Sequence, residues 1–277
     1  MSYSMNAVCR QLNISKQAVY QRQKRQHTLN SKWYDVLGKV DAIRTNHTGC
    51  GVEKMYHMLK PDFIGRDKFI DTCLDFGYRV KRNKNYRKTT RASKEYYPNL
   101  IQGLQITGPN EVWQSDITYF PIHGEHYFGV FIIDIYTKNI VGYNIANHML
   151  ALANVQALKQ ALRRNKSPTY HHSDSGSQYA SKVYTKLLEK NNVKISMGLI
   201  VQENACAERF HRTIKEEYLD HWKPQTYTGL KSCVNKAVRN YNNTRPHNNI
   251  HRKTPINFER EWESSDNNPI LTVFEYQ

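Results

Sequence analysis

No apolar run in this 277-residue chain approaches the length of a membrane span, and no basic amphipathic stretch carries a Trp/Leu face. Membrane-spanning and membrane-surface proteins are therefore set aside. The first eleven residues lack a basic region followed by an apolar one, so no secretory leader is expected and the cytoplasm is the default compartment. Cysteine is sparse. The five cysteines, Cys9, Cys50, Cys73, Cys206 and Cys233, are odd in number and widely scattered, which fits reduced thiols rather than a disulfide framework. His47, Cys50, His57 and Cys73 are spaced like no ordinary zinc finger and read as core or surface residues. Acidic residues are also scarce, 24 Asp and Glu against 40 Lys and Arg.

That imbalance leaves a net charge of +16, more than solubility asks of a domain this size. Residues 1–100 hold 20 basic and 8 acidic side chains, whereas 101–277 hold 20 and 16, so most of the excess is N-terminal. A polyanion is the implied partner, and nucleic acid the first reading, because each neutralised phosphate releases counterions. With 39% hydrophobic and 12% aromatic residues the chain can still bury a core.

Residues 6–24 read as two short helices. Ala7, Val8 and Leu12 give the first an apolar side, Asn13 breaks it, and Ser15 caps a second carrying Ala18, Val19 and Tyr20. The pattern is helix-turn-helix-like, and Arg22, Lys24 and Arg25 at its end suit phosphate contact. Helical spacing continues from Trp33 to about Gly77 (Val36, Val40, Ile43; Met55, Met58, Leu59; Phe69, Ile70, Cys73, Leu74). A basic, aromatic run follows, with Lys81, Arg82, Lys84 and Arg87 beside Tyr78 and Tyr86, suited to tracking a DNA backbone.

After Gly108-Pro109 the pattern changes. Three runs rich in Ile, Val, Phe and Tyr, at 112–120, 126–136 and 140–146, are separated by turn residues and predict consecutive antiparallel strands. A helix near 150–164, a strand at 169–172, a helix at 181–191, a strand at 193–197 and a long helix from about 203 complete the order βββαβαβα. This predicts an α/β fold, a mixed sheet with flanking helices, preceded by a small basic all-helical region. The expected divisions are 1–30 (helix-turn-helix-like), 31–107 (basic helical region and linker), 108–222 (the core that carries the sheet) and 223–277 (helical tail).

Within that order three carboxylates stand out. Asp116 lies mid-strand among Trp, Ile and Tyr, where an acid is disfavoured. Asp174 follows the fourth strand, where strand ends bind ligands in open α/β sheets. Glu208 lies in the first turns of the last long helix. Singly, each has a structural explanation: a buried ion pair for Asp116, a turn for Asp174, an i,i+4 pair with Arg212 for Glu208. Together they can converge, and hard oxygens without His or Cys favour Mg²⁺ or Mn²⁺. Asp134, on the second strand, remains open from spacing alone. His211, Arg212 and Lys215 share the helix face of Glu208 and suit phosphate contact. His172 and Gln178 bracket Asp174 as possible orienting groups.

The stretches VWQSDITY (112–119), IIDIYTKNIVGY (132–143), HHSDSGSQY (171–179) and ENACAERFHRTIKEEY (203–218) resemble, in order, those of insertion-sequence transposases of the IS-three family. These are relatives of retroviral integrases with a ribonuclease H-like core. YNNTRPHNNIHRKTP (241–255) is similar to that family's tail, and residues 64–90 to its basic helical region. The resemblance places the catalytic and metal-binding triad on Asp116, Asp174 and Glu208 and leaves Asp134 as a sheet residue. The stretch from Asp174 to Glu208 is a couple of residues shorter than usual, a deletion assigned to the loop at 198–202.

What the resemblance implies is DNA cleavage and strand transfer at the terminal inverted repeats of a mobile element, by phosphoryl transfer with two Mg²⁺ or Mn²⁺ ions. Double-stranded DNA, both element end and target, would be the partner. At least a homodimer on DNA, an upstream-frame DNA-binding protein, and a bacterial nucleoid setting would follow. A non-enzymatic DNA-binding regulator and a hydrolytic nuclease of the same fold are the alternatives. No Arg/His set surrounds any of the 19 tyrosines, against a tyrosine recombinase.

Overall fold

The computed structural model describes residues 4–80, 97–198, 201–265 and 268–273. Lys81, Arg82, Lys84 and Arg87 lie outside the described residues. The chain divides into two compact units, residues 4–46 with 50–79, and residues 47–49 with everything described from Val80 onward.

The first unit is all-helical: α1 (Met5–Gln11), α2 (Lys16–Asn46), α3 (Val52–Leu59) and α4 (Arg66–Asp75). Asn13 ends the first turn region in a left-handed conformation (φ 52°), and the Ser15 hydroxyl accepts the Ala18 N–H at 3.1 Å, as the sequence predicts. The second helix does not stop near Arg25, however. From Lys16 onward the chain offers helix formers without a proline until past residue 46, so one 31-residue helix crosses the expected division at residue 30. Its second half packs Val36 and Val40 against Met55, Phe69 and Cys73, while most of its first half is exposed. Cys73 lies in this apolar core, where burial pushes its thiol up to about 11.

The second unit is built on a five-stranded sheet in the order β4-β3-β2-β5-β6. The strands are β2 (Val112–Ile122), β3 (Glu125–Asp134), β4 (Ile140–Ala146), β5 (Tyr170–Asp174) and β6 (Lys194–Gly198). The first three pair antiparallel, and β5 and β6 join in parallel. A separate two-stranded pairing joins β1 (Gln105–Ile106) to β7 (Leu271–Thr272). His123 and Gly124, both at positive φ, make the two-residue hairpin between β2 and β3. Pro121 stays in β2 instead of ending it. Its missing N–H costs no pairing, because β5 runs beside only residues 112–115 of β2.

Strand alternation splits the core into two layers. Val130 and Ile132 face α5 (Ala151–Arg164) and α6 (Lys182–Lys190), together with Trp113, Leu158 and Tyr184. Phe131 and Ile133 face α7 (Ala205–Ile214) and α9 (Tyr227–Asn243), with Phe210, Ile214 and Val234. Burying such a side chain contributes about 1.5–3 kcal/mol. Gly142 lets α5 lie close on β4, since a Cβ there would come 2.5 Å from the Ala157 carbonyl oxygen.

The helix carrying α7 continues through a π-helical turn (Lys215–Leu219) into α8 (Asp220–Trp222). Glu217, on that turn, forms a bidentate pair with buried Arg245, both contacts at 2.8 Å. Residues 47–49 close over the same turn: Gly49 N–H donates to the Glu217 carbonyl at 2.7 Å, and His47 bridges Tyr218 and Thr244, each at 2.9 Å. A Cβ on Gly49 would fall 2.3 Å from Glu217 Cα. The tail completes with α10 (Pro255–Glu263), capped by Thr254. Neither 97–107 nor the tail stands apart from the sheet unit: Ile101, Ile106, Phe258 and Val273 share one cluster with Val112, and α9 covers the sheet. Among the described residues no helix is long and apolar enough to cross a membrane.

Candidate active site

Asp116 marks the point where the sheet opens. Parallel pairing of β2 with β5 ends at Ser115↔Ser173, while β2 goes on pairing with β3. The next residues on the two strands, Asp116 and Asp174, therefore sit at the mouth of a crevice and carry their side chains to the same side. This accounts for a carboxylate in the middle of an apolar strand. Asp116 keeps 21% of its side chain exposed. One Asp116 oxygen accepts the Ile117 N–H at 2.8 Å, and Asp174 accepts the Gly176 N–H at 3.1 Å. Burial and then the neighbouring Asp116 push Asp174 up to about 6, against the pull of the Gly176 bond.

Polar residues on the same strand faces brace the crevice. Gln114 donates to the Glu203 carbonyl at 2.8 Å and accepts the Ala207 N–H at 3.1 Å, tying the start of α7 to β2. His172 bonds Ser196 at 2.9 Å, and its burial lowers its pKa to about 4, which keeps it neutral. Gln178 donates to the Met149 carbonyl at 3.3 Å. Both expected orienting residues thus engage neighbouring segments of the crevice wall. Gln114 was missed by sequence reasoning, although its signal was there: a second polar residue two positions from Asp116, on the same strand face.

On α7, His211 reaches Asp116, with Nδ1 3.3 Å from the second carboxylate oxygen. Glu208 lies one turn earlier on the same helix face. It is half exposed and pairs with Arg212 at 2.8 Å. Among the described residues no group of three His, Cys, Asp or Glu side chains comes together as a metal cluster. The structure brings Asp116 to Asp174 but does not bring Glu208 to both. In the N-terminal half, His47 is engaged by Tyr218 and Thr244. Lys215 lies over the rings of Tyr119 and Phe120, 5.0 and 5.5 Å from their centroids, and burial lowers its pKa although Asp220 and Asp116 favour its charge.

Asp134 is of another kind. It is fully buried and accepts the Asn110 N–H at 2.6 Å and the Thr137 N–H and hydroxyl at 2.7 and 2.9 Å, locking the β3–β4 turn. In the first unit, Arg22, Lys24 and Arg25 are exposed on α2. Lys24 and Arg25 line a groove of about 410 Å³ with Gln21, Lys32 and Phe63.

Family models described as integrase core domain match residues 106–199 and 197–255. The 31 kDa protein of insertion element IS600 from Shigella sonnei is 30% identical over 234 residues, covering 81% of this chain and 86% of that protein. The transposase for insertion sequence element IS904 from Lactococcus lactis is 28% identical over 257 residues, 89% of this chain and 97% of that protein. The chain belongs to the insertion-sequence transposases with an integrase core. The transposase is accordingly a polynucleotidyl transferase of the DDE type, which sets aside the regulator and nuclease alternatives. Its fold is that of the integrase in the simian T-cell lymphotropic virus intasome, with a TM-score of 0.55 at 14% identity over 79% of this chain and 71% of that one.

Proposed function

We propose that the transposase cleaves one strand at each terminal inverted repeat of its insertion sequence and transfers it, using Asp116, Asp174 and Glu208 as catalytic and metal-binding carboxylates. The observation that carries this is the aspartate pair at the sheet opening, where burial and mutual repulsion lift Asp174 to about 6. The all-oxygen donor set of this pair fits a hard divalent cation, Mg²⁺ or Mn²⁺. Held by these carboxylates, two such ions would supply activation of the attacking oxygen and stabilisation of the leaving 3′-oxygen.

The protein's own part is positioning. The Ile117 and Gly176 N–H groups orient the two carboxylates, and Gln114 fixes the start of α7 against β2. Glu208 joins them by leaving Arg212, an exposed pair worth only about 0.3–0.5 kcal/mol. Arg212 is then released toward the phosphates of the element end, with Lys215 one turn away. Arg22, Lys24 and Arg25 on α2, and the basic run of Lys81, Arg82, Lys84 and Arg87, contact flanking duplex. Synapsis of two ends requires at least a homodimer on DNA, with target DNA as third partner, and an upstream-frame protein adds a further DNA-binding element.

Incubation with a labelled terminal repeat, Mg²⁺ and target DNA tests this. Joined product is expected; hydrolysis alone, or joined product retained by the Asp116→Asn variant, would overturn it.

A further inference from the structure

We infer that His211 is a positioning residue for strand transfer, holding the Asp116 carboxylate in the orientation that binds a divalent cation. The inference rests on the assignment of Asp116 as a metal-binding carboxylate. One oxygen of Asp116 is fixed by the Ile117 N–H, and the other faces His211 Nδ1 at 3.3 Å. Each oxygen of the carboxylate thus has its own contact, while Asp174 lies near enough to feel its charge.

The ring itself is fixed. It packs on Phe131 and Phe210 at centroid distances of 5.6 and 5.7 Å, and Phe131 is the cross-strand partner of Asp116 in the β2–β3 register. Packing alone does not account for a histidine here. Its Nε2 is buried with no hydrogen-bond partner among the described residues, a desolvation cost that a phenylalanine of similar size avoids. The contact that offsets this cost is the one to Asp116. Nδ1 is the ring atom that faces the carboxylate, and it is the one polar contact the ring makes there among the described residues. Groups that bond a metal-binding side chain from behind typically set metal affinity ten- to hundredfold.

Two substitutions separate donor from packing. His211→Phe keeps the ring and removes the donor, whereas His211→Asn keeps a donor at the position of Nδ1 and removes the ring. Mn²⁺ binding, measured by calorimetry on the full chain, and strand transfer are read together with Tm. His211→Phe is expected to weaken Mn²⁺ binding about tenfold or more and to slow strand transfer without lowering Tm. His211→Asn is expected to retain both within about threefold at a lower Tm. Wild-type Mn²⁺ affinity in His211→Phe, or equal losses in both variants, overturns the inference. Asp116→Asn is the control: wild-type Mn²⁺ affinity in that variant overturns the site assignment itself, and the inference with it.

Discussion

Asp134 and the Asp116–Asp174 pair lie within one sheet, yet they are treated in opposite ways. Asp134 is sealed from solvent and given three donors, so its carboxylate serves the turn that joins β3 to β4. Asp116 and Asp174 keep some exposure, accept one backbone N–H each, and face one another. A carboxylate sealed among donors is structural; two partly exposed carboxylates facing one another at a sheet opening are prepared for a ligand that brings positive charge.

The largest effect that would separate the two regions is on activity. Asp116→Asn is expected to reduce strand transfer on the order of a thousandfold or more while leaving Tm unchanged or raised. Asp134→Asn should do the reverse. It replaces an acceptor of three donors with an amide that leaves one buried group mispaired, costing about 1–3 kcal/mol and lowering Tm by roughly 5 °C, with activity per folded molecule intact. A thermal melt beside a gel assay of joined product decides it. Loss of activity without loss of stability in Asp134→Asn would erase the distinction.

A smaller effect concerns pH. Asp174 titrates at about 6 in the folded chain and near 3.8 when unfolded, so between these values the folded state alone holds the proton. Metal-free protein should therefore lose stability as pH rises from 4 to 6, by up to about 5 °C in Tm. Asp174→Asn should flatten that dependence, and Mg²⁺ should offset it above pH 6. Parallel pH series for the two proteins would show no divergence if burial and Asp116 did not raise Asp174 in the folded chain. The smallest effect is at Lys215, where Lys215→Ala is expected to reduce the salt slope of DNA binding by about one. An unchanged slope would confine Lys215 to its contacts with Tyr119 and Phe120.

Much of this was legible in the sequence because the signals are local. The order βββαβαβα follows from alternation and turn residues, and His123-Gly124 forms its hairpin whatever lies elsewhere. Asp116 was legible as a misfit, an acid in an apolar strand. The reason it is tolerated, the end of β5 pairing at Ser115, depends on register between strands 58 positions apart, which no local pattern records. The same holds for His211 on Asp116 and for Glu217 with Arg245, pairs joined only by the fold. The continuous α2 was missed for a different reason: a turn signal at Asn13 suggested two short helices, and nothing in residues 16–46 marks where the second would stop.

The closure of residues 47–49 over the π-helical turn makes the sheet unit discontinuous along the chain. Three residues encoded between α2 and α3 are structural parts of a unit whose remainder begins past residue 79. A fragment that starts near residue 97 would thus leave the Glu217 carbonyl, the Tyr218 hydroxyl and Thr244 without the groups that meet them in the full chain. Proteolysis or truncation cannot free this unit intact, and a grafted core would need the His-Thr-Gly tripeptide supplied in trans or through a new linker.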